Sequence, residues 1–230
     1  MCIKKACAVI AAAGSGRRMG GISKPNIEIL GKTLFEYVLE AFDGSSVCEI
    51  VVVCSEDNEA SLRALSGNAL KPITFTRGGE TRAESISNGI ACASRDCEII
   101  CTHDCARPFV TAEMIDETVK EASIHGASCV CSPVTDTVKH KDPLTGFVST
   151  PERANLFAVQ TPQCFKKSLY LHAKNALGDI STFTDETSVL EEIGVEVCYI
   201  KSDVVNMKLT SPDDVPIAEL LMKRKEASKC

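Results

Sequence analysis

Short apolar runs alternate with amphipathic segments along most of the chain. The runs are rich in Val, Ile and Cys and do not alternate strictly with polar residues, which is typical of strands buried on both faces. They predict six strands, at Ala6–Ala12, Glu49–Ser55, Ile73–Thr76, Glu98–His103, Ser128–Val134 and Val195–Lys201. The amphipathic segments predict helices near Thr33–Phe42, Asn58–Leu65, Arg82–Ser94, Ala112–His125 and Asp185–Ile193. This alternation predicts an α/β fold, a three-layer Rossmann-like domain with a mainly parallel sheet.

Glycine and proline mark where several predicted helices end or begin. Gly126 and Gly194 each follow the last residue of a predicted helix, where a C-cap favours glycine. Ser211-Pro212-Asp213-Asp214 offers an N-cap, a proline at the first helical position and acids in the first turn. Pro216 fits that first turn less well, so we allow the start to shift by one or two residues.

The segment 135–161 breaks the pattern. It has no helical periodicity, and it centres on a turn-like stretch around Pro143 and Gly146. A loop of this length inside a compact domain is usually functional or disordered. We therefore predict a protruding β-arm, or a long loop, that serves dimerisation or substrate binding.

The composition is that of an ordinary globular protein. Of the 230 residues, 44% are hydrophobic and 24% are charged, enough for a single domain spanning 1–230 with the arm as an appendage. The net charge of −6 disfavours a general nucleic-acid binder, which usually carries a basic face. No apolar run reaches the roughly 20 residues of a membrane span. Because the first strand starts near Ala6, we expect no targeting peptide, no membrane partner and a cytoplasmic location.

The thirteen cysteines are predicted to be free thiols. Their number is odd, and most lie in apolar runs, where cysteine behaves as a small hydrophobe. Cys97, Cys101 and Cys105 follow a regular spacing, but zinc sites usually use close Cys-x-x-Cys pairs. We therefore expect a reduced protein without a metal–cysteine site.

A glycine-rich turn follows the first predicted strand. Gly14-Ser15-Gly16 precedes Arg17 and Arg18, and Lys24 lies a few residues further on. Ligands of open α/β sheets bind at the carboxyl ends of strands, where glycines let backbone N–H groups approach phosphate oxygens. A tight turn alone would explain the glycines. The cluster of cations in an otherwise acidic chain favours a bound polyanion, since cations at a helix N-terminus oppose the helix dipole.

Several motifs in order carry a resemblance to a known family. They are Ala11-Ala12-Ala13-Gly14-Ser15-Gly16-Arg17-Arg18-Met19-Gly20, Gly78-Gly79-Glu80-Thr81-Arg82-Ala83-Glu84-Ser85, His103-Asp104-Cys105-Ala106-Arg107-Pro108, Pro133-Val134-Thr135-Asp136-Thr137-Val138-Lys139, Arg153 with Gln160-Thr161-Pro162-Gln163, Thr184-Asp185-Glu186, and Asn206-Met207-Lys208-Leu209-Thr210. Over nearly the whole chain they resemble the 2-C-methyl-D-erythritol 4-phosphate cytidylyltransferase family of the sugar nucleotidyltransferase superfamily. A ribitol 5-phosphate cytidylyltransferase shares most of the motifs, but Thr184-Asp185-Glu186 and the triple alanine favour the first family.

The resemblance implies a reaction and the residues that perform it. A phosphate oxygen of the acceptor attacks the α-phosphorus of CTP and pyrophosphate leaves, so catalysis is mainly charge compensation and alignment. The implied catalytic cations are Arg18, Lys24 and Lys208. The implied nucleotide-binding residues are Ala12, Ala13, Gly14, Gly16, Gly79, Glu80 and Ser85. Asp104 ends an apolar run, and a carboxylate at a strand end suits Mg²⁺ bound jointly with phosphates.

The acceptor, a small polyol phosphate, is assigned a further set of residues. The resemblance implies that Thr137, Arg153, Thr161 and Thr184 bind it, and Arg107 is expected either to pair with Asp104 or to reach a phosphate. In the family the arm carrying Thr137 and Arg153 enters the partner's site. We therefore expect a homodimer with arm exchange.

Some features depart from the family or leave other functions open. The family usually has Pro-Lys-Gln after the glycine loop, whereas Lys24 precedes Pro25 here. Cys105 stands where the family generally has alanine, and nearby cations predict a reactive thiol. A nicotinamide oxidoreductase would share the glycine loop, although the third glycine of its fingerprint is missing. A non-catalytic nucleotide sensor is the other alternative.

Overall fold

The computed structural model describes residues 4–14, 23–202 and 205–227. Its strands are β1 Ala6–Ala11, β2 Glu28–Ile29, β3 Lys32–Thr33, β4 Glu49–Cys54, β5 Ile73–Arg77, β6 Ile99–Asp104, β7 Ala127–Pro133, β8 His140–Lys141, β9 Val148–Ser149, β10 Phe157–Lys166 and β11 Val197–Lys201. Its helices are α1 Leu34–Asp43, α2 Glu56–Leu65, α3 Arg82–Cys92, α4 Ala112–His125, α5 Lys167–Leu177, α6 Glu186–Glu192 and α7 Asp214–Ala227. The predicted α/β class is confirmed.

Seven strands form one sheet in the order β11-β7-β10-β6-β1-β4-β5. Every neighbouring pair is parallel except those of β10, which runs antiparallel to both β6 and β7. The sheet is therefore mainly parallel, and the carboxyl ends of β1, β4, β5, β6 and β7 share one edge.

Helices cover both faces of the sheet. Successive residues of β1 point to opposite sides, with Ala8 and Ile10 in one buried cluster and Cys7 and Val9 in the other. The first cluster includes residues of α1, α2 and α4, and the second includes residues of α3, α5 and α6. This explains why the strands read as continuous apolar runs and confirms the three-layer arrangement.

A third buried cluster lies near the short β2–β3 hairpin. Ile29 packs there with Leu209 and with Met222 of α7. The start of α7 is fixed by Asp214, whose Oδ2 accepts from the backbone N–H groups of Thr210 and Ser211. The helix begins two residues after the predicted first position, as Pro216 allowed.

The arm is shorter than predicted. Strands β8 and β9 form a separate two-stranded hairpin, but the predicted boundary at 161 is wrong. Phe157–Lys166 forms β10, which pairs with β6 and β7 inside the main sheet. This strand, and helix α5 after it, were missed because a mixed polar sequence containing Pro162 resembles a loop.

All eleven cysteines in the described ranges are free, and most are buried. None of the described helices is long and apolar enough to span a membrane.

Candidate active site

A cavity of about 570 Å³ lies at the carboxyl ends of β1 and β6. Its walls come from the turn after β1, the first residues of α3, the end of β6 and the loop before α7. The structure brings nine residues of the sequence-predicted site to this cavity: Ala12, Ala13, Gly14, Lys24, Gly79, Glu80, Ser85, Asp104 and Lys208. Gly16 and Arg18 lie outside the described residues.

The turn before α3 forms a narrow wall of this cavity. The Gly79 N–H donates to Ser85 Oγ (3.0 Å), and the Glu80 N–H donates to the carboxylate of Glu84 (2.8 Å). A Cβ on Gly78 would lie 2.6 Å from the Cβ of Ala13. Glycine is therefore required for the turn to approach the alanines after β1, and the small residues leave room for a flat ring.

Asp104, the last residue of β6, is the carboxylate of the cavity. It is only 8% exposed. Lys208 Nζ lies 2.5 Å from its Oδ2, and the guanidinium of Arg82 lies 3.5 Å from its Oδ1. Burial alone would raise the pKa of Asp104, but the positive charges of Arg82, Lys208 and Arg107 hold it well below its usual range. Asp104 is thus an anion in a cationic setting.

A buried hydrogen-bond chain fixes the backbone of Asp104. Its N–H donates to Thr161 Oγ1 (3.1 Å), which lies 3.1 Å from His103 Nδ1. His103 Nε2 lies 3.2 Å from the carbonyl oxygen of Arg107. Burial lowers the pKa of His103 to about 4, so the ring is neutral near pH 7. Since a carbonyl can only accept, Nε2 carries the proton, and Nδ1 accepts from Thr161.

Two residues of the predicted acceptor set, Thr161 and Arg107, make their hydrogen bonds within the protein. Thr161 is buried, and its hydroxyl proton is committed to His103. The Arg107 guanidinium donates to the backbone oxygen of Asn206 (2.8 Å), and burial lowers its pKa. Neither residue lines the cavity. Arg107 contributes charge to Asp104 at longer range and ties the loop of Lys208 to the end of β6.

Lys24 is bonded to the loop that carries Lys208. Lys24 Nζ donates to the carbonyl oxygen of Leu209 (3.0 Å), and the Leu209 N–H donates to the carbonyl oxygen of Ala106 (2.8 Å). The one-place shift of Lys24 in the sequence does not remove it from the cavity, which it lines together with Pro25.

The remaining predicted acceptor residues do not line the cavity of their own chain. Thr137 and Arg153 are exposed on the arm, where Arg153 Nη1 donates to the carbonyl oxygen of Thr135 (2.8 Å). Thr184 is exposed just before α6, and the side chain that caps this helix belongs to Asp185.

Two charged residues of the site were missed by sequence reasoning. Arg82, the first residue of α3, lines the cavity, and Glu186 of α6 binds its guanidinium in a bidentate pair. Both lie inside motifs that carried the resemblance. Residues 104 positions apart show no periodicity that would pair them, so the only available signal was that charged residues occur within those motifs.

Asp104 suits a divalent cation that also binds phosphate. It is a hard oxygen donor on a cavity wall, and no second His, Cys or carboxylate joins it in a three-residue ligand set within the described chain. A metal there would take its other ligands from phosphate oxygens and water, which is the usual habit of Mg²⁺. The cluster with metal-ligand character among the described residues, Glu121, His125 and Cys198, lies where β7 and β11 begin, at the opposite edge of the sheet.

The predicted reactivity of Cys105 is wrong. The residue does border the cavity, but it is buried. Burial, and then the negative charge of Asp104, raise the pKa of its thiol. The cations that were expected to favour a thiolate are paired with Asp104 instead.

Fold and site together define a nucleotidyltransferase of Rossmann-like architecture. The family model for 2-C-methyl-D-erythritol 4-phosphate cytidylyltransferase matches residues 6–224. The chain belongs to this family. A relative of that name from Caldanaerobacter subterraneus subsp. tengcongensis is 39% identical over 225 residues, covering 94% of this chain and 98% of the relative.

Solved structures give the same result. The 4-diphosphocytidyl-2C-methyl-D-erythritol synthase of Anaerococcus prevotii is 27% identical, with a TM-score of 0.86 and coverage of 96% of both chains. The 2-C-methyl-D-erythritol 4-phosphate cytidylyltransferase of Thermus thermophilus is 26% identical, with a TM-score of 0.76 and coverage of 95% of this chain and 99% of its own. The family match supports neither the ribitol phosphate alternative nor the oxidoreductase.

Proposed function

We propose that this chain transfers the CMP moiety of CTP to 2-C-methyl-D-erythritol 4-phosphate. The products are 4-diphosphocytidyl-2-C-methyl-D-erythritol and pyrophosphate, in the non-mevalonate pathway to isoprenoids. The observation that carries the proposal is the pairing of Asp104 with Lys208 inside a cavity walled by small residues. Such an arrangement compensates the charge of two phosphorylated substrates without a covalent intermediate.

The nucleotide base lies, in this proposal, against the turn before α3. Ala12 and Ala13 give the flat ring space, and the backbone groups of Gly79 and Glu80 read its polar edge, with Ser85 holding the turn. The Gly79–Ser85 hydrogen bond of 3.0 Å supports this assignment, because it stiffens the turn in the orientation that borders the cavity.

The triphosphate lies between the turn after β1 and the loop before α7. Lys24 and Lys208 compensate the negative charge on the oxygens of the α-phosphate and of the leaving pyrophosphate. Arg18 joins them on the sequence argument. The backbone N–H groups near Gly14 approach the phosphate oxygens, and Gly16 is assigned to the same role on the sequence argument. Asp104 would hold Mg²⁺, which would neutralise the phosphate oxygens and make the α-phosphorus more electrophilic.

The acceptor site is completed, we infer, by a second copy of this chain. The single domain over 1–230 then acts as the body and the arm as the exchanged element. Large apolar side chains of the arm face solvent, among them Leu144 (94% exposed) and Phe147 (70% exposed). Arg153 and Thr137 lie on the same arm, outside their own cavity. An exchanged arm buries the apolar residues and brings both polar residues to the partner's acceptor, with Thr184 on the body side. Thr161 serves that site indirectly, because it holds the backbone of Asp104.

A pyrophosphate-release assay tests the proposed function. Purified protein receives CTP, Mg²⁺ and one of a panel of acceptors that includes 2-C-methyl-D-erythritol 4-phosphate and ribitol 5-phosphate. We expect turnover with the first acceptor and at least about 100-fold lower kcat/KM with the second. If neither acceptor is turned over, the proposed transferase activity is refuted and a non-catalytic nucleotide-binding protein is favoured. The substrates are small polar anions, so we place the reaction in the cytoplasm.

A further inference from the structure

Arg82 and Glu186 form a bidentate ion pair beside the carboxylate of Asp104. Arg82 Nη1 lies 2.6 Å from Glu186 Oε1, and Nη2 lies 3.1 Å from Oε2. The same Nη2 lies 3.5 Å from Asp104 Oδ1. The paired, planar geometry restricts the guanidinium to one orientation, which a lysine at this position could not reproduce.

Glu186 is itself held rigidly. It is 3% exposed, and its Oε2 also accepts from Thr102 Oγ1 (2.9 Å) in β6. The backbone N–H groups of Glu186 and Thr187 both donate to the side-chain oxygen of Gln163 in β10. Two strands and the start of α6 therefore fix this carboxylate.

A buried carboxylate beside a site for polyanions requires a specific reason. Its desolvation is unfavourable unless it is paired, and its charge opposes the binding of phosphates. The partner of Glu186 is Arg82, which lines the cavity. The role of Glu186 in the site is therefore exerted through this arginine. Glu186 fixes where the Arg82 guanidinium points.

Arg82 keeps donors for a ligand. A guanidinium has five N–H donors, and the two bonds to Glu186 and the one to Asp104 use three of them. The Nε–H and the second Nη1–H have no partner among the described residues. The side chain is about one third exposed and lines the cavity.

We propose that Arg82 binds the phosphate of the acceptor and that Glu186 is its positioning residue. The location of Arg82 selects this phosphate rather than the triphosphate. Lys208 belongs to the loop that contains Leu209, and Lys24 donates to the carbonyl oxygen of Leu209. Arg82 instead contacts Asp104 from the start of α3 and is bound by Glu186 of α6. On that side, Thr184 lies two residues before Glu186. This assignment rests on the proposed function, because it presupposes a phosphorylated acceptor.

Steady-state kinetics and calorimetry on the full-length protein test the proposal. The variants are Arg82→Gln, Arg82→Lys and Glu186→Gln, with Arg77→Gln as control, because Arg77 pairs with Glu59 and does not line the cavity. We expect Arg82→Gln to raise the KM for 2-C-methyl-D-erythritol 4-phosphate at least about 10-fold while the KM for CTP changes less than about 3-fold. Arg82→Lys, which keeps the charge and is the gentler change for folding, should raise the same KM about 3- to 10-fold. Glu186→Gln should act in the same direction, and the control should match wild type.

Binding gives a readout that is independent of turnover. The acceptor is titrated into each protein with CTP whose α,β-bridging oxygen is replaced by a methylene group, so that no reaction occurs. A raised dissociation constant for the acceptor in the Arg82 and Glu186 variants, with nucleotide affinity unchanged, supports the proposal. Unchanged acceptor binding and KM in folded Arg82→Lys and Arg82→Gln would overturn it, as would equal losses for both substrates. Wild-type protein inactive with every acceptor would instead refute the proposed function.

Discussion

Lys208 Nζ lies 2.5 Å from Asp104 Oδ2, although the two residues are separated by 104 positions along the chain. The contact depends on the loop 205–210, which Arg107 and Ala106 hold to the end of β6. Each member of the pair has a second use in the proposed reaction, the carboxylate toward a metal and the ammonium toward phosphate. The pair thus keeps both groups at the same point of the cavity and compensates their charges.

The first prediction concerns the carboxylate. Asp104→Asn should retain the fold and lower kcat by at least about 100-fold, roughly 3 kcal/mol or more of transition-state stabilisation. The physical reason is that the amide is a poor ligand for Mg²⁺ and leaves Lys208 without its negative partner. Pyrophosphate release at several Mg²⁺ concentrations measures the effect.

A matched change elsewhere provides the control for that variant. Asp96 is exposed and pairs with Lys5, so Asp96→Asn should behave as wild type. Near-normal turnover of Asp104→Asn at every Mg²⁺ concentration would exclude a metal role for Asp104.

The second prediction concerns the width of the nucleotide pocket. Gly78→Ala would bring a methyl group 2.6 Å from the Cβ of Ala13 and 3.0 Å from Ser85 Oγ. The turn or the alanine segment must then move into the space assigned to the base. We expect the KM for CTP to rise about 10-fold or more, with a smaller change in the KM for the acceptor. Equal KM values for CTP in variant and wild type would place the base elsewhere.

The third prediction concerns the stability of the packing between α3 and the sheet. A Cβ on Gly89 would lie 2.4 Å from Val9 Cγ1 and 2.8 Å from Val53 Cγ2, in the packing of α3 against β1 and β4. Because both valines are buried and β-branched, Gly89→Ala should destabilise the protein by about 1–3 kcal/mol through overpacking. Urea unfolding measures the change.

Gly67→Ala is the control for that experiment, since its nearest contact would be an ordinary 3.5 Å. We expect it to unfold at nearly the wild-type urea concentration. Gly89→Ala with wild-type stability would show that α3 can shift from the sheet at little cost, which its close contact with β1 does not favour.

The parallel part of the fold could be predicted from the sequence because its signals are local. Buried strands such as β1 and β4 read as uninterrupted apolar runs, and α4 ends at a glycine with φ of +103°, a conformation that favours this residue. Strand β10 lacked such a signal. Its pairing partners, β6 and β7, lie in distant parts of the sequence, and its first two residues are exposed.

In the candidate site too, some residues have a local sequence signal and others do not. The glycine turns, Asp104 and Lys208 were found because they occur within recognisable motifs. The roles of Thr161 and Glu186 depend on hydrogen bonds between residues that are 58 and 104 positions from their partners. No periodicity or spacing encodes such contacts, so the sequence could not show that Thr161 bonds to His103 or that Glu186 bonds to Arg82.

The last prediction concerns the arm. In an exchanged dimer, one chain carries Asp104→Asn in its body and the other carries Arg153→Ala in its arm. Each variant alone should be nearly inactive. In a mixed dimer one site contains both substitutions and the other contains neither. Random co-assembly makes about half of the dimers mixed, each with one intact site, so activity should recover to about a quarter of wild type.

Co-expression with two separable tags isolates the mixed dimers, and the pyrophosphate assay measures their turnover. Dimers in which both chains carry Asp104→Asn are the control, because every site then keeps a lesion in either arrangement. If the arm served its own body, each site of a mixed dimer would retain one lesion and turnover would stay at the level of the single variants. The absence of recovery in isolated mixed dimers would therefore reject arm exchange, whereas half of the wild-type turnover per isolated mixed dimer follows only when Arg153 acts on the partner's acceptor.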